Sequence, residues 1–262
     1  MTRTSDLAGR VALITGGGRG IGRATALAFA EAGASVVVSA RTRQEVEAVA
    51  AEIRALGGRA HAVTADVIDD QQVRDTIASA VAELGAIDIL VNNAGGNALG
   101  RLDEMPPELW WKQIEVNIRG TYNYCRAVLP KMVQRKWGRI VNVSSINGKQ
   151  GALFCSAYCT AKHGIIGLTR ALALDVAKSG VTVNAVCPGY VKTKLTEDTF
   201  AQREVLFGMA VEELEKLALR QTPQGVTIEP EQVAEAIVFL ASDRATRMTG
   251  QALNVDGGRS FY

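Results

Sequence analysis

No stretch of this 262-residue chain approaches the roughly 18 consecutive apolar residues of a membrane-spanning helix, so none is expected to cross a bilayer. Runs of like charge are missing too. The 29 basic and 27 acidic residues are scattered to a net charge of +2, which argues against a nucleic-acid or membrane partner. Metal-ligand material is scarce. Cys155, Cys159 and His163 share i,i+4 spacing, but a zinc site needs a further ligand and no other Cys/His pair has ligand-like spacing. No metal is expected, and His61 reads as a surface residue. The four cysteines (Cys125, Cys155, Cys159, Cys187) form no disulfide-framework pattern, and Met1 to Arg10 is polar without an apolar signal core. Reduced thiols in the cytoplasm are therefore expected. No low-complexity segment or short-period repeat appears.

What is present is a soluble globular composition, 47% hydrophobic and 21% charged. Apolar, β-branched runs at 10–15, 35–40, 60–65, 87–91, 138–145, 181–187 and 251–255 read as strands. Helical patterns separate them, notably at 42–56, 69–84, 107–136, 157–178 and 229–242, the last opened by Pro230. That alternation predicts βαβ units, a parallel sheet and one uninterrupted domain. Residues 190–225 carry helical patches and no strand, which suits a substrate lid.

The first strand runs directly into Gly16-Gly17-Gly18-Arg19-Gly20-Ile21-Gly22 and then a helix. Strand, glycine loop and helix in that order make an anion-binding element, with free N–H groups at the helix start. The glycine spacing departs from G-x-G-x-x-G. Further along, Ser145 lies thirteen residues before Tyr158, and Lys162 four residues after it. On a helix the i,i+4 pair shares a face. A free tyrosine has a pKa near ~10, and bringing it to ~7 takes roughly 4 kcal/mol. A lysine cation at ~4 Å supplies about that much at an effective dielectric near 20. The spacing thus predicts that Lys162 draws the Tyr158 pKa down.

Together these motifs resemble the single-domain branch of the short-chain dehydrogenase/reductase family, in its 3-oxoacyl-carrier-protein reductase-like form. The likeness runs from Gly9 to about Gly258 through Thr15-Gly16-x-x-x-Gly20-x-Gly22, Asp66, Asn92-Asn93-Ala94-Gly95, Asn117, Ser145, Tyr158-x-x-x-Lys162 and Pro188-Gly189. It implies a doubly wound (Rossmann) α/β fold with a seven-stranded parallel sheet in the order 3-2-1-4-5-6-7. Tyr158 would be the general acid/base, with Lys162 tuning it and holding the cofactor ribose. Ser145 would bind the substrate oxygen, and Asn117 a water in a proton relay. Ser144 is the rival to Ser145, with strand alternation pointing the two to opposite faces. The cofactor is expected along Gly16, Arg19, Gly20, Ile21, Gly22, Asp66 and Val67. It continues along Asn93, Ala94, Gly95, Pro188, Gly189, Val191 and Thr193. Asn92 is expected on this wall or bracing strand ends, and Asp66 at the adenine or as a helix cap.

An acidic residue at the end of the second strand would mark NAD; here Ala40, Arg41 and Thr42 stand there. Arg41, helped by Arg19, offers guanidinium donors for a 2′-phosphate, so NADP(H) is expected over NAD(H). The expected reaction interconverts a ketone and a secondary alcohol. The substrate is a small carbonyl compound or acyl thioester; Lys136 matches one basic carrier-docking position of the family, whereas Ser179 occupies another and is uncharged, a departure that weakens the carrier-protein reading. Leu153, Phe154 and Cys155 are candidates for the substrate pocket. Trp110 and Trp111 read as packing residues, the long helices as a homotetramer's interface, and Phe261-Tyr262 as a contact with a neighbouring subunit. The alternative function is a catalytically silent NADP-binding regulator or scaffold.

Overall fold

The computed structural model describes residues 6–260. Phe261 and Tyr262 lie outside the described residues, and with them the expected subunit contact. The elements alternate as read from the sequence: β1 (Val11–Thr15), α1 (Gly20–Glu31), β2 (Ser35–Ala40), α2 (Arg43–Ala55), β3 (Ala60–Thr64), α3 (Asp70–Leu84) and β4 (Ile89–Asn92). There follow α4 (Pro107–Ile114), α5 (Gly120–Arg135), β5 (Gly138–Val143), α6 (Ser156–Asp175) and β6 (Val181–Pro188). The last elements are α7 (Lys194–Phe207), α8 (Val211–Arg220), α9 (Pro230–Ala241) and β7 (Ala252–Val255).

The seven strands form one parallel sheet in the order β3-β2-β1-β4-β5-β6-β7, as the resemblance implied. Every residue of β1, β4, β5 and β6 is buried, whereas β3 and β7 at the edges are largely half-buried. Continuous apolar runs are what strands covered on both faces require. One face carries α1, α2 and α9 through Phe29, Ile53 and Ile237; the other carries α3, α5 and α6 through Val73, Met132 and Ala173. The order reverses between β1 and β4, and ligands of open α/β sheets bind outside the strand ends at such a switch point.

Two local departures bear on the site. The helix expected over 107–136 is broken by a π-helical turn, Glu115–Arg119, with Asn117 at its centre. The wider turn lets the Asn117 side chain cap its own helix, Nδ2 donating to Gln113 O at 2.8 Å. The 190–225 region folds as α7 and α8 around a small core of Phe200, Leu214 and Ala218, apart from the sheet. His61, expected on the surface, is half-buried on β3, its Nε2 2.8 Å from Ser79 Oγ.

Candidate active site

The glycine loop turns because two of its residues take left-handed backbone, Gly16 at φ +62° and Gly20 at φ +52°. The close approach behind the turn is strict at Gly22, where a Cβ would lie 2.1 Å from Gly16 O and 2.5 Å from Asn93 Nδ2. α1 starts with no side-chain cap and no acidic residue in its first turn, so its N–H groups and positive dipole end remain available to an anion. Thr15, last in β1, ties this loop to the next motif. Its Oγ1 accepts from Asn93 N and Ala94 N, both at 3.0 Å, and Asn93 Nδ2 donates to Thr15 O and Gly16 O.

Ser145 follows β5 and Tyr158 lies in the first turn of α6, so the sheet edge and a helix start bring them together. The two side chains border the same inner part of the cleft, and Ser145 Oγ accepts from Asn147 N at 3.1 Å. Ser144 points elsewhere, as alternation required, donating to Lys162 O at 2.9 Å. The depth of α6 is fixed by a buried polar chain across the sheet: Asn92 Nδ2 donates to Asn142 Oδ1, and Asn142 Nδ2 to Thr169 Oγ1, each at 2.9 Å. Asn92 is thereby a brace between β4 and β5 and does not line the cleft.

Lys162 is 4% exposed, its Nζ donating to Val143 O at 2.9 Å and standing 5.5 Å from the Tyr158 ring centroid. This corrects the expectation that Lys162 draws the phenol pKa down. Burial pushes Tyr158 up to about 12, the neighbouring Ser145 hydroxyl opposing it, and burial pushes Lys162 down to about 8. The ammonium is held by a neutral carbonyl, so desolvation of both charged forms outweighs their mutual attraction. The arrangement favours a neutral phenol, which is a proton donor.

Asn117 is fully buried behind Gly95. Its Nδ2 also donates to Gly96 O at 3.1 Å, while its Oδ1 has no hydrogen-bond partner. A Cβ on Gly95 would lie 2.6 Å from Asn117 Oδ1 and 3.5 Å from Lys162 Nζ, so both polar groups flank this glycine. A free acceptor beside a buried ammonium is the arrangement a bridging water needs.

Most of the candidate cofactor residues line one continuous cleft. Its outer part, about 200 Å³, is bounded by Gly16, Arg19, Gly20, Arg41, Asp66 and Val67, with Asn93 and Ala94 opposite. The inner part, about 110 Å³, reaches Ser145, Tyr158, Lys162, Pro188, Gly189 and Val191. Ile21, Gly95 and Thr193 border both. Gly22 and Asn117 stand behind the wall and shape it. Asp66 is not the helix cap; Asp69 is, accepting from Gln71 N and Gln72 N. Long, narrow, glycine-floored at one end and holding a hydroxyl pair at the other, the cleft fits a dinucleotide.

Other expected residues fall away from it. Leu153, Phe154 and Cys159 border a separate cavity of about 420 Å³, and Cys155 is buried. Trp110 fastens α4 to α6, its Nε1 donating to Ser156 Oγ at 3.2 Å. Lys136 and Ser179 precede β5 and β6, at the sheet edge opposite Ser145. Sequence reasoning named Thr15 in the glycine motif without giving it a role, and it missed Gly148 and Leu195. Thr15 ends a strand directly before the glycine loop, which is a usable signal. Gly148 has none, although a Cβ there would lie 2.5 Å from Ser144 Oγ and 2.7 Å from Lys162 O. All four cysteines are free, and among the described residues no three His, Cys, Asp or Glu side chains converge.

Comparison with known proteins agrees with this geometry. Residues 10–204 match the family described as short chain dehydrogenase. A 3-oxoacyl-(acyl-carrier-protein) reductase from a Synechocystis species is 41% identical over 258 residues, covering 98% of this chain and 99% of the relative. A D-beta-hydroxybutyrate dehydrogenase from Rhizobium meliloti is 38% identical over 252 residues, covering 95% and 98%. The solved structure of an actinorhodin polyketide ketoreductase variant with NADPH superposes with a TM-score of 0.94 at 36% identity, over 99% of each chain.

Proposed function

This chain belongs to the short-chain dehydrogenase family, and from that membership we propose that it is an NADP(H)-dependent oxidoreductase interconverting a ketone and a secondary alcohol, with Tyr158 as its proton-transferring group. The observation that carries the reading is the meeting of Ser145, Tyr158 and Lys162 at the inner end of a glycine-floored cleft. Bound nicotinamide supplies or accepts the hydride.

The chain's own part is positioning and proton handling. Ser145 donates to the substrate oxygen and stabilises charge that develops there. The neutral Tyr158 phenol gives that oxygen its proton in the reductive direction. Lys162 and the free Asn117 Oδ1 are placed to hold a water that reprotonates the site. The α1 N-terminus and glycine loop would hold the pyrophosphate, and Pro188, Gly189 and Thr193 would border the nicotinamide end.

NADP(H) is favoured over NAD(H) because Arg41 lies exposed on the rim beside Ala40 and Thr42, without a carboxylate partner among the described residues. Arg19, the second candidate, leans on Glu45 at 3.9 Å. A homotetramer is the assembly we favour, since α5 and α6 leave Tyr122 and Leu174 exposed at 48% and 80%. The free thiols suit a cytoplasmic setting. An absorbance assay following NADPH across ketones, diketones and acyl thioesters tests the activity. Oxidation of NADPH by at least one class is expected; inertness towards all would favour a silent binding protein.

A further inference from the structure

The outer part of the cleft carries two guanidiniums, Arg19 on the glycine loop and Arg41 after β2. Their surroundings differ. Arg41 has no carboxylate partner among the described residues, whereas Arg19 Nη1 stands 3.9 Å from Glu45 Oε1. At that separation the charges attract without a hydrogen bond. Further along the same two helices, Arg23 and Glu52 close to 2.7 Å. The Arg19–Glu45 pair is the looser of the two, and it is the one beside the cleft.

Glu45 is the better-anchored member. It lies in the first turn of α2, just after Ala40, Arg41 and Thr42, where a carboxylate also suits the positive end of the helix. Its stem packs on the glycine loop. A Cβ on Gly18 would lie 2.7 Å from Glu45 Cβ and 3.1 Å from Glu45 Oε2, so Glu45 fills the space that a side chain at 18 would need. The Glu45 side chain is 35% exposed against 66% for Arg19. Arg19 occupies the N-cap position of α1 but makes no side-chain cap there, which leaves its guanidinium uncommitted to the helix start. Arg19 lines the cleft and Glu45 does not. The guanidinium therefore stands between a fixed carboxylate behind it and the cleft in front.

We propose that Glu45 sets how strictly the cleft discriminates NADP(H) from NAD(H), by drawing Arg19 away from the 2′-phosphate site. The proposal rests on the NADP(H) reading above and deepens it. Arg41 is then the standing recognition element, and Arg19 a second one held in reserve. A phosphate dianion attracts a guanidinium more strongly than a single carboxylate does, but part of that attraction is lost in separating Arg19 from Glu45. NAD(H) leaves the pair together and bears no such loss. Glu45 thus narrows the gap between the two affinities, and specificity is that gap.

The test titrates NADPH and NADH, by nucleotide fluorescence, into wild type, Glu45→Gln, Arg19→Met, the double variant and Arg41→Met. Glu45→Gln keeps the stem against Gly18 and removes the charge. It should bind NADPH about 3- to 10-fold more tightly than wild type, with NADH changed by less than about 2-fold. In the Arg19→Met background the same substitution should alter NADPH affinity by less than about 2-fold. Unchanged NADPH affinity in Glu45→Gln would overturn the proposal. A weakened affinity would overturn it too, making Glu45 the residue that aims Arg19 at the phosphate. So would a gain that persists in Arg19→Met, since Glu45 would then act on the phosphate directly. Wild type that binds NADH more tightly, with Arg41→Met without effect, would overturn the NADP(H) reading; an Arg19-dependent gain for NADPH in Glu45→Gln would still uphold the role of Glu45.

Discussion

Lys162→Met should make the protein more stable near neutral pH and remove a pH dependence that wild type shows. The Lys162 ammonium is 4% exposed and has a neutral carbonyl, Val143 O, as its hydrogen-bond acceptor. Burial lowers its pKa from 10.5 to about 8, so the unfolded chain binds this proton more tightly than the folded one. Folding stability must then rise with pH across that window, the penalty being full below about pH 8 and gone above about pH 10.5. The shift of about 2.5 units corresponds to roughly 3 kcal/mol, of which about 2 kcal/mol is recovered between about pH 7 and pH 9.5. Tyr158 acts in the opposite sense, because its raised pKa of about 12 costs stability only above about pH 10. Urea unfolding at about pH 7 and about pH 9.5, for wild type and Lys162→Met, isolates the lysine. The gap between the proteins should narrow by about 2 kcal/mol as pH rises. Parallel curves would refute the buried-ammonium account. A gap that widens would mean that Lys162 is stabilised as a cation by the phenolate, as its spacing from Tyr158 first suggested.

Two further outcomes follow from the cleft. Thr15→Val removes the one hydroxyl that satisfies Asn93 N and Ala94 N, and should cost about 1–3 kcal/mol in chemical denaturation, with weaker cofactor binding. Arg41→Asp places a carboxylate at the rim, and should shift the ratio of kcat/KM for NADPH over NADH towards NADH by about 10-fold or more. An unchanged ratio would remove Arg41 from phosphate recognition.

Much of this architecture was legible because it is local. Strands such as Val11–Thr15 and Val181–Pro188 announce themselves as unbroken apolar runs, and a chain of such runs alternating with helices has few ways to pack. The division between Ser144 and Ser145 followed from extended-backbone alternation, and the cleft residues from motifs that all close strands on one edge. What escaped depends on depth or on distance along the chain. The i,i+4 spacing of Tyr158 and Lys162 holds, yet where the ammonium points is decided by Val143, nineteen residues away across the sheet edge. For Asn92 the sequence left both cleft wall and strand brace open, and its partner Asn142 on β5 decides for the brace. The π-helical turn at Asn117 carries no composition signal, since it is set by packing against Gly95 and α6.

The central claim is that Tyr158 moves the proton in a cleft that binds NADP(H) independently of it. Tyr158→Phe removes only the phenolic hydroxyl beside Ser145 in the inner cleft. NADPH affinity, by fluorescence titration, should stay within a few-fold of wild type, while turnover of the best ketone found should fall by about 10²- to 10⁴-fold. Turnover retained at the wild-type level would contradict the account outright.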